Sequence, residues 1–278
     1  MKTLSRLYLI LEVIGLFVVG SLLGRLLSKL LNLNEWLSQG SDLIQMPEID
    51  FIRLASISSV GSLIKYGCIF LLVIVFIVAR RVPMKTGLGL SRSKKSILEQ
   101  IKISLFVFCL IGLIPKVLFG LWPYGLVGSG PSHWHILNGE WNFGFWIYML
   151  ASSIIIPPIV EELFFRGFTL SRFKDGFNYG YAILLMAIMF STFHTQYFQL
   201  TTISILSLIS LFLGSIIFGY IKYYTGSILP CFIAHALANI PIIGIPSLVL
   251  SGLMLLVVIS RWQVIVEHAR ALKTLFSP

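Results

Sequence analysis

Two adjacent carboxylates, Glu161 and Glu162, stand in a stretch otherwise apolar enough to cross a membrane. Two isolated histidines, His194 and His235, follow in similar stretches. Ionisable groups are costly in hydrocarbon, so these residues need a pairing partner or a chemical role. On a helix Glu162 and Arg166 are i,i+4 neighbours with the acid N-terminal, the orientation in which each neutralises the other. Glu161 projects about 100° away and has no such local partner. The spacing therefore predicts a structural Glu162 and a reactive Glu161. His235 and Asn239, also four apart, share a helix face and present an imidazole and an amide in one direction. Three helices can thus bring a carboxylate, a histidine and a histidine–asparagine pair to one cavity. Such a set suits activation of water and attack on a carbonyl: Glu161 as general base, His194 sharing or relaying the proton, His235 and Asn239 donating hydrogen bonds to the oxyanion. The same residue types allow a second reading, in which Glu161, His194 and His235 hold zinc with water in the open position.

The elements that must position these groups are membrane helices. Of 278 residues 57% are hydrophobic and 12% charged, with a mean hydropathy of +0.92, which excludes a water-soluble globule. At about 20 apolar residues per crossing, eight stretches qualify: Leu7–Leu27, Leu63–Ala79, Ile97–Leu121, Phe143–Phe165, Tyr179–Tyr197, Thr201–Tyr220, Ser227–Ile243 and Ser247–Ser260. The expected fold is all-α and polytopic, with a buried catalytic cavity. The first run follows Lys2 and Arg6 but is long and lacks a small-residue cleavage site, so it reads as a retained span. Pro157-Pro158 removes two backbone donors just before the carboxylates and should kink or restart the helix there. The carbonyls it frees are tolerable at depth only against protein or a wet cavity. Lys174-Asp175-Gly176 reads as a turn between antiparallel helices. Glu161 and His194 lie roughly 22 and 27 Å from it at ~1.5 Å per residue, and so at a similar level.

Charge is distributed unevenly. Arg80, Arg81, Lys85, Arg92, Lys94 and Lys95 crowd one loop, whereas Trp122–Asn142 has no lysine or arginine. The positive-inside rule makes the first cytoplasmic and the second external, and places both termini in the cytoplasm. Arg25 and Lys29, at the outer end of the first span, run against this. The net charge of +10 carries no aromatic-interleaved basic module, so nucleic acid is excluded as a partner and anionic lipid is expected. Three regions follow: 1–142, with three spans, a polar external segment Asn32–Ser62 and the basic loop; 143–255, holding the polar intramembrane residues; and 256–278, the end of the last span and a cytoplasmic tail. Little in the first region looks chemical.

The series Glu161-Glu162-x-x-x-Arg166, Phe190-x-x-x-His194 and His235-x-x-x-Asn239 resembles the motifs of the CAAX-processing endoprotease and bacteriocin self-immunity family of intramembrane proteases. The resemblance covers about residues 143–255. It implies an eight-helix fold and hydrolysis of a peptide bond in a membrane-associated or lipidated substrate. Glu161 and His194 would activate water, with His235 and Asn239 on the oxyanion and Glu162, Arg166 and Phe190 in support. It also implies a multi-pass protein of a bacterial plasma membrane. Members are described both as metallopeptidases and as metal-free glutamate proteases, which leaves the zinc reading open.

Blander readings compete for most of these residues. Asn239 alone could bond a neighbouring helix, and Phe190 could be a cavity wall. His133 and His135, beside Trp134 and Trp141, suit an interfacial aromatic belt, and His268 suits a solvated or membrane-surface face. Gly87-Leu88-Gly89-Leu90 lacks the spacing of a phosphate loop, and Cys68, Cys109 and Cys231 sit at unrelated spacings in apolar runs, as packing residues do. Two other functions use the same charges: an immunity or regulatory factor that binds a peptide without cutting it, and a proton-coupled carrier. The absence of an inverted repeat of broken spans argues against the carrier.

Overall fold

The computed structural model describes residues 2–31, 48–90, 93–119, 149–194, 198, 201–240 and 244–276. The regular elements among them are all helical. In chain order they are α1 (Lys2–Leu30), α2 (Glu48–Ala79), the short α3 (Met84–Gly87), α4 (Ile97–Phe119), a π-helical turn Leu150–Ile154, α5 (Ile156–Glu161) and a π-helical stretch Glu162–Thr169. They continue with α6 (Leu170–Lys174), α7 (Tyr179–Thr192), α8 (Thr202–Thr225), α9 (Leu229–Ala238), α10 (Gly244–Ser260) and α11 (Trp262–Thr274).

Among the described residues, α1, α2, α4 and α8 are long and apolar enough to cross a membrane, and α10 with α11 forms a further candidate bent by 68°. The eight expected stretches thus correspond to four full-length spans, or five counting the bent pair. The difference has a physical origin. α7 and α9 are apolar but only 14 and 10 residues long, and the segment bearing the two glutamates is broken into short pieces. The elements that carry or adjoin Glu161, Glu162, His194 and His235 are ones that fall short of a continuous span. Residues 143–148 of the fourth stretch lie outside the described residues, as do His133, Trp134, His135 and Trp141. The expected polar segment Asn32–Ser62 is helical from Glu48, where α2 begins well ahead of its apolar stretch Val60–Ala79.

α1 lies along α2, and the contact depends on Gly20-x-x-x-Gly24. A β-carbon on Gly20 would stand 2.8 Å from the Ile69 Cα, and one on Gly24 2.8 Å from the Lys65 Cα. In lipid, where apolar surface gains little by leaving its solvent, such close backbone approach is a main source of helix association. α2 then meets α5 and both π-helical segments on its other side. Its buried residues Ile69, Val73 and Ile77 join Val13, Phe164, Phe165, Phe168, Phe173, Met186 and Phe190 in the largest apolar core. A smaller cluster of Val107, Phe218, Cys231 and Ala234 joins α4, α8 and α9. The glutamate segment runs between α2 on one side and α8 and α9 on the other.

The expected turn is present at Asp175-Gly176. Around it the basic segments converge on one end of the bundle. Arg80 and Arg172 both bind the nearly buried Glu12, at 2.6 and 2.8 Å, and Arg172 also binds Asp175 at 2.6 Å. The Arg6 Nε donates to the Gly176 carbonyl, and the Gly180 amide donates to that of Leu275. Lys222 donates to the carbonyls of Gly89 and Gly226, and the Lys94 amide donates to Thr225. The two described chain ends therefore meet at the end that carries the basic loop. His268, expected on a solvated or membrane-surface face, is half-buried, lies against the Tyr224 ring and shares a 2.7 Å hydrogen bond with the Tyr220 hydroxyl. The three cysteines are unpaired, Cys231 buried and donating to the Phe218 carbonyl.

Candidate active site

The break before the carboxylates follows from the prolines. Pro157 and Pro158 would be the i+4 and i+5 donors to the Ser153 carbonyl, and neither has an N–H. The chain widens into a π-helical turn, and α5 restarts at Ile156 with both prolines in its first turn, where their missing donors cost nothing. The stranded Ser153 carbonyl is met by the Asn239 side chain, whose Nδ2 donates to it at 2.9 Å. Asn239 is itself the residue that ends α9. One amide thus ties the last turn of α9 to the broken backbone upstream of Glu161.

Glu162 and Arg166 form the expected pair, with both side chains fully buried and the Arg166 Nη1 3.1 Å from the Glu162 Oε1. A buried guanidinium needs more than one partner. Its Nη2 donates to the Ser215 Oγ of α8 at 2.9 Å, and its plane lies between the rings of Phe190 and Phe218, 4.4 and 5.0 Å from their centroids. The same Glu162 Oε1 accepts from the His235 Nδ1 at 2.9 Å. That hydrogen bond turns the other edge of the imidazole towards Glu161, leaving the His235 Nε2 3.9 Å from the Glu161 Oε2.

Glu161, with 12% of its side chain exposed, does have a partner, though not a local one. The Tyr66 hydroxyl of α2 donates to its Oε1 at 2.7 Å across 95 residues of sequence. Sequence reasoning missed Tyr66 because it located the chemistry wholly in the second half. The available signal was Lys65-Tyr66, a polar pair inside an apolar run.

His194 lies just past the end of α7. Because its own amide turns to the Ser191 carbonyl, the Phe190 carbonyl is free to accept from the ring Nδ1 at 2.7 Å. A carbonyl can only accept, so Nδ1 carries a proton, and the neutral ring presents the Nε2 lone pair on its other edge. Phe190 holds the group together as a wall: its ring centroid is 4.7 Å from that of His194, 6.3 Å from that of His235 and 5.0 Å from that of Phe165. Every residue expected in the site is therefore in one region of the molecule. Among the described residues no three His, Cys, Asp or Glu side chains are grouped as a metal shell. His194 and His235 are each anchored through Nδ1 to a different acceptor, which leaves both Nε2 edges available, as they are in metal-ligating histidines.

Residues 142–241 match the family described as Type II CAAX prenyl endopeptidase Rce1-like. This is the family that the three motifs resemble, and all three lie inside the matched segment. Neither the curated proteins nor the solved structures contain a match.

Proposed function

We propose that this chain, whose second half carries the CAAX-type protease segment, hydrolyses a peptide bond of a membrane-associated or lipidated protein within the bilayer. The observation that carries the reading is the Glu161 carboxylate, largely buried yet not spent on an ion pair. One of its oxygens is fixed by Tyr66 and the other faces an imidazole edge. In the proposed step a water bridges the Glu161 Oε2 and the His194 Nε2. As its oxygen attacks the scissile carbonyl carbon, its proton passes to the carboxylate and the carbonyl π pair moves onto oxygen. The second N–H of the Asn239 amide and the Nε2–H of a protonated His235 then donate to the oxyanion. Glu162, Arg166 and Phe190 hold these groups and do not touch substrate. The oxyanion pair then re-forms the carbonyl as the C–N bond breaks, and Glu161 gives its proton to the leaving amine.

Water is taken to be activated by the glutamate without a metal, so chelator treatment of active protein should leave the rate unchanged; a loss restored by zinc would instead assign Glu161, His194 and His235 to a metal. By the positive-inside rule the end bearing the basic loop faces the cytoplasm and contacts anionic lipid. The substrate test compares membrane peptides in cells carrying wild-type protein or Glu161→Gln. A peptide that shortens only with the wild type supports the reading. Identical peptide profiles, with protection or regulation intact in the variant, would leave peptide binding as the function.

A further inference from the structure

We infer that Tyr66, outside the matched segment and on a helix from the first half of the chain, is a positioning residue that selects which oxygen of Glu161 acts as the base. The inference rests on the endopeptidase reading of the same site. A carboxylate has two equivalent oxygens and a freely turning terminal bond, and only one oxygen can meet the water on the attacking side. The Tyr66 hydroxyl donates to Oε1 at 2.7 Å, which ties up that oxygen and stops the rotation. Oε2 is left facing the His235 Nε2 at 3.9 Å, on the side where the proposed water lies. A phenol suits the role because it is a hydrogen-bond donor that brings no charge into lipid.

The position of that hydroxyl is built in. Lys65, the residue before Tyr66, is at one of the two close approaches of α1 to α2, where a β-carbon on Gly24 would stand 2.8 Å from its Cα. Four residues after Lys65, Ile69 is locked against Gly20 in the same way. The two glycine contacts therefore straddle Tyr66 along α2 and fix both its height and its rotation. The Lys65 ammonium lies 5.1 Å from the Tyr66 ring centroid, a cation–π contact that further holds the ring. On this account the first half of the chain supplies a working part of the active site and is more than a membrane anchor for it.

The test uses full-length protein in detergent or proteoliposomes and the variant Tyr66→Phe, which keeps the ring and removes only the hydroxyl. A cleavage assay should show kcat lowered about 10- to 100-fold with KM unchanged, the loss expected when a reacting group is free to stray by about an ångström. Wild-type kcat in Tyr66→Phe would overturn the inference. So would a raised KM with unchanged kcat, which would make Tyr66 a substrate contact. A second measurement is independent of any substrate: thermal melting of wild type, Tyr66→Phe, Glu161→Ala and the double variant, each single change removing the contact. Shifts in melting temperature that do not add establish the contact, and additive shifts overturn it. Absence of cleavage by wild-type protein would count against the endopeptidase reading, while the melting cycle would still report on the Tyr66–Glu161 contact.

Discussion

At the scale of single residues, Glu161 and Glu162 have divided their work by what each can reach. Glu162 meets Arg166 on its own helix and His235 from α9, so it is bound on two sides. Removing Arg166 would leave a buried carboxylate without its counter-charge. Arg166→Ala should therefore cost about 3–5 kcal/mol of stability, read as a fall in melting temperature in detergent. Glu161→Gln should melt near wild type while losing activity, since an amide oxygen can still accept from Tyr66. The contrast is the prediction: two neighbouring acidic positions, one governing stability and the other rate. The pairing of Glu162 with Arg166 was legible in the sequence because it is set by the 3.6-residue repeat of one helix. The partners of Glu161 and Asn239 were not. Tyr66 lies 95 residues from Glu161, and the Ser153 carbonyl accepts from Asn239 across 86 residues. Both contacts depend on how separate helices pack, which no local repeat encodes. The sequence did predict that the two prolines would free backbone carbonyls, but not which side chain would meet them.

At the scale of elements, two features position the site: the broken segment that carries the glutamates, and the close pairing of α1 with α2. The break was foreseen from Pro157-Pro158, and the antiparallel turn from Lys174-Asp175-Gly176. The pairing was not, although Gly20-x-x-x-Gly24 is a small-residue pattern whose meaning in a membrane helix is known. Its consequence can be tested away from the chemistry. Gly20→Leu would push a side chain into the Ile69 backbone, displacing α2 and with it the Tyr66 hydroxyl. A loss of activity of about 100-fold is expected. Gly15→Ala on the same helix, where an added β-carbon meets nothing within 4 Å, should leave activity intact. Paired activity and melting measurements on the two variants check this, and equal activities would show that the α1–α2 approach has no bearing on the site.

At the scale of the whole molecule, the all-helical membrane fold could be read from hydropathy, and the segment that matches the endopeptidase family from three motifs in order. The number of full spans could not. Hydropathy registers the apolar content of α7 and α9 but not that they end after 14 and 10 residues, because helix ends depend on caps and side-chain contacts. The charge pattern was legible as a pattern, and the fold gathers it: Arg80, Arg172, Lys222 and both described chain ends lie at one end of the bundle. Reporter fusions at the N-terminus, the C-terminus and the loop between α3 and α4 should all report the cytoplasmic side, and a split result would contradict that orientation. The central claim is that Glu161 activates a water which attacks the peptide bond directly. A single turnover of substrate by purified protein in water carrying a heavy oxygen isotope tests it most directly. The account predicts the label in the new carboxyl group of the cleaved peptide and no cleavage by Glu161→Gln. Label appearing in the Glu161 side chain, with an unlabelled peptide carboxyl, would mean that the glutamate attacks the peptide itself and would contradict it.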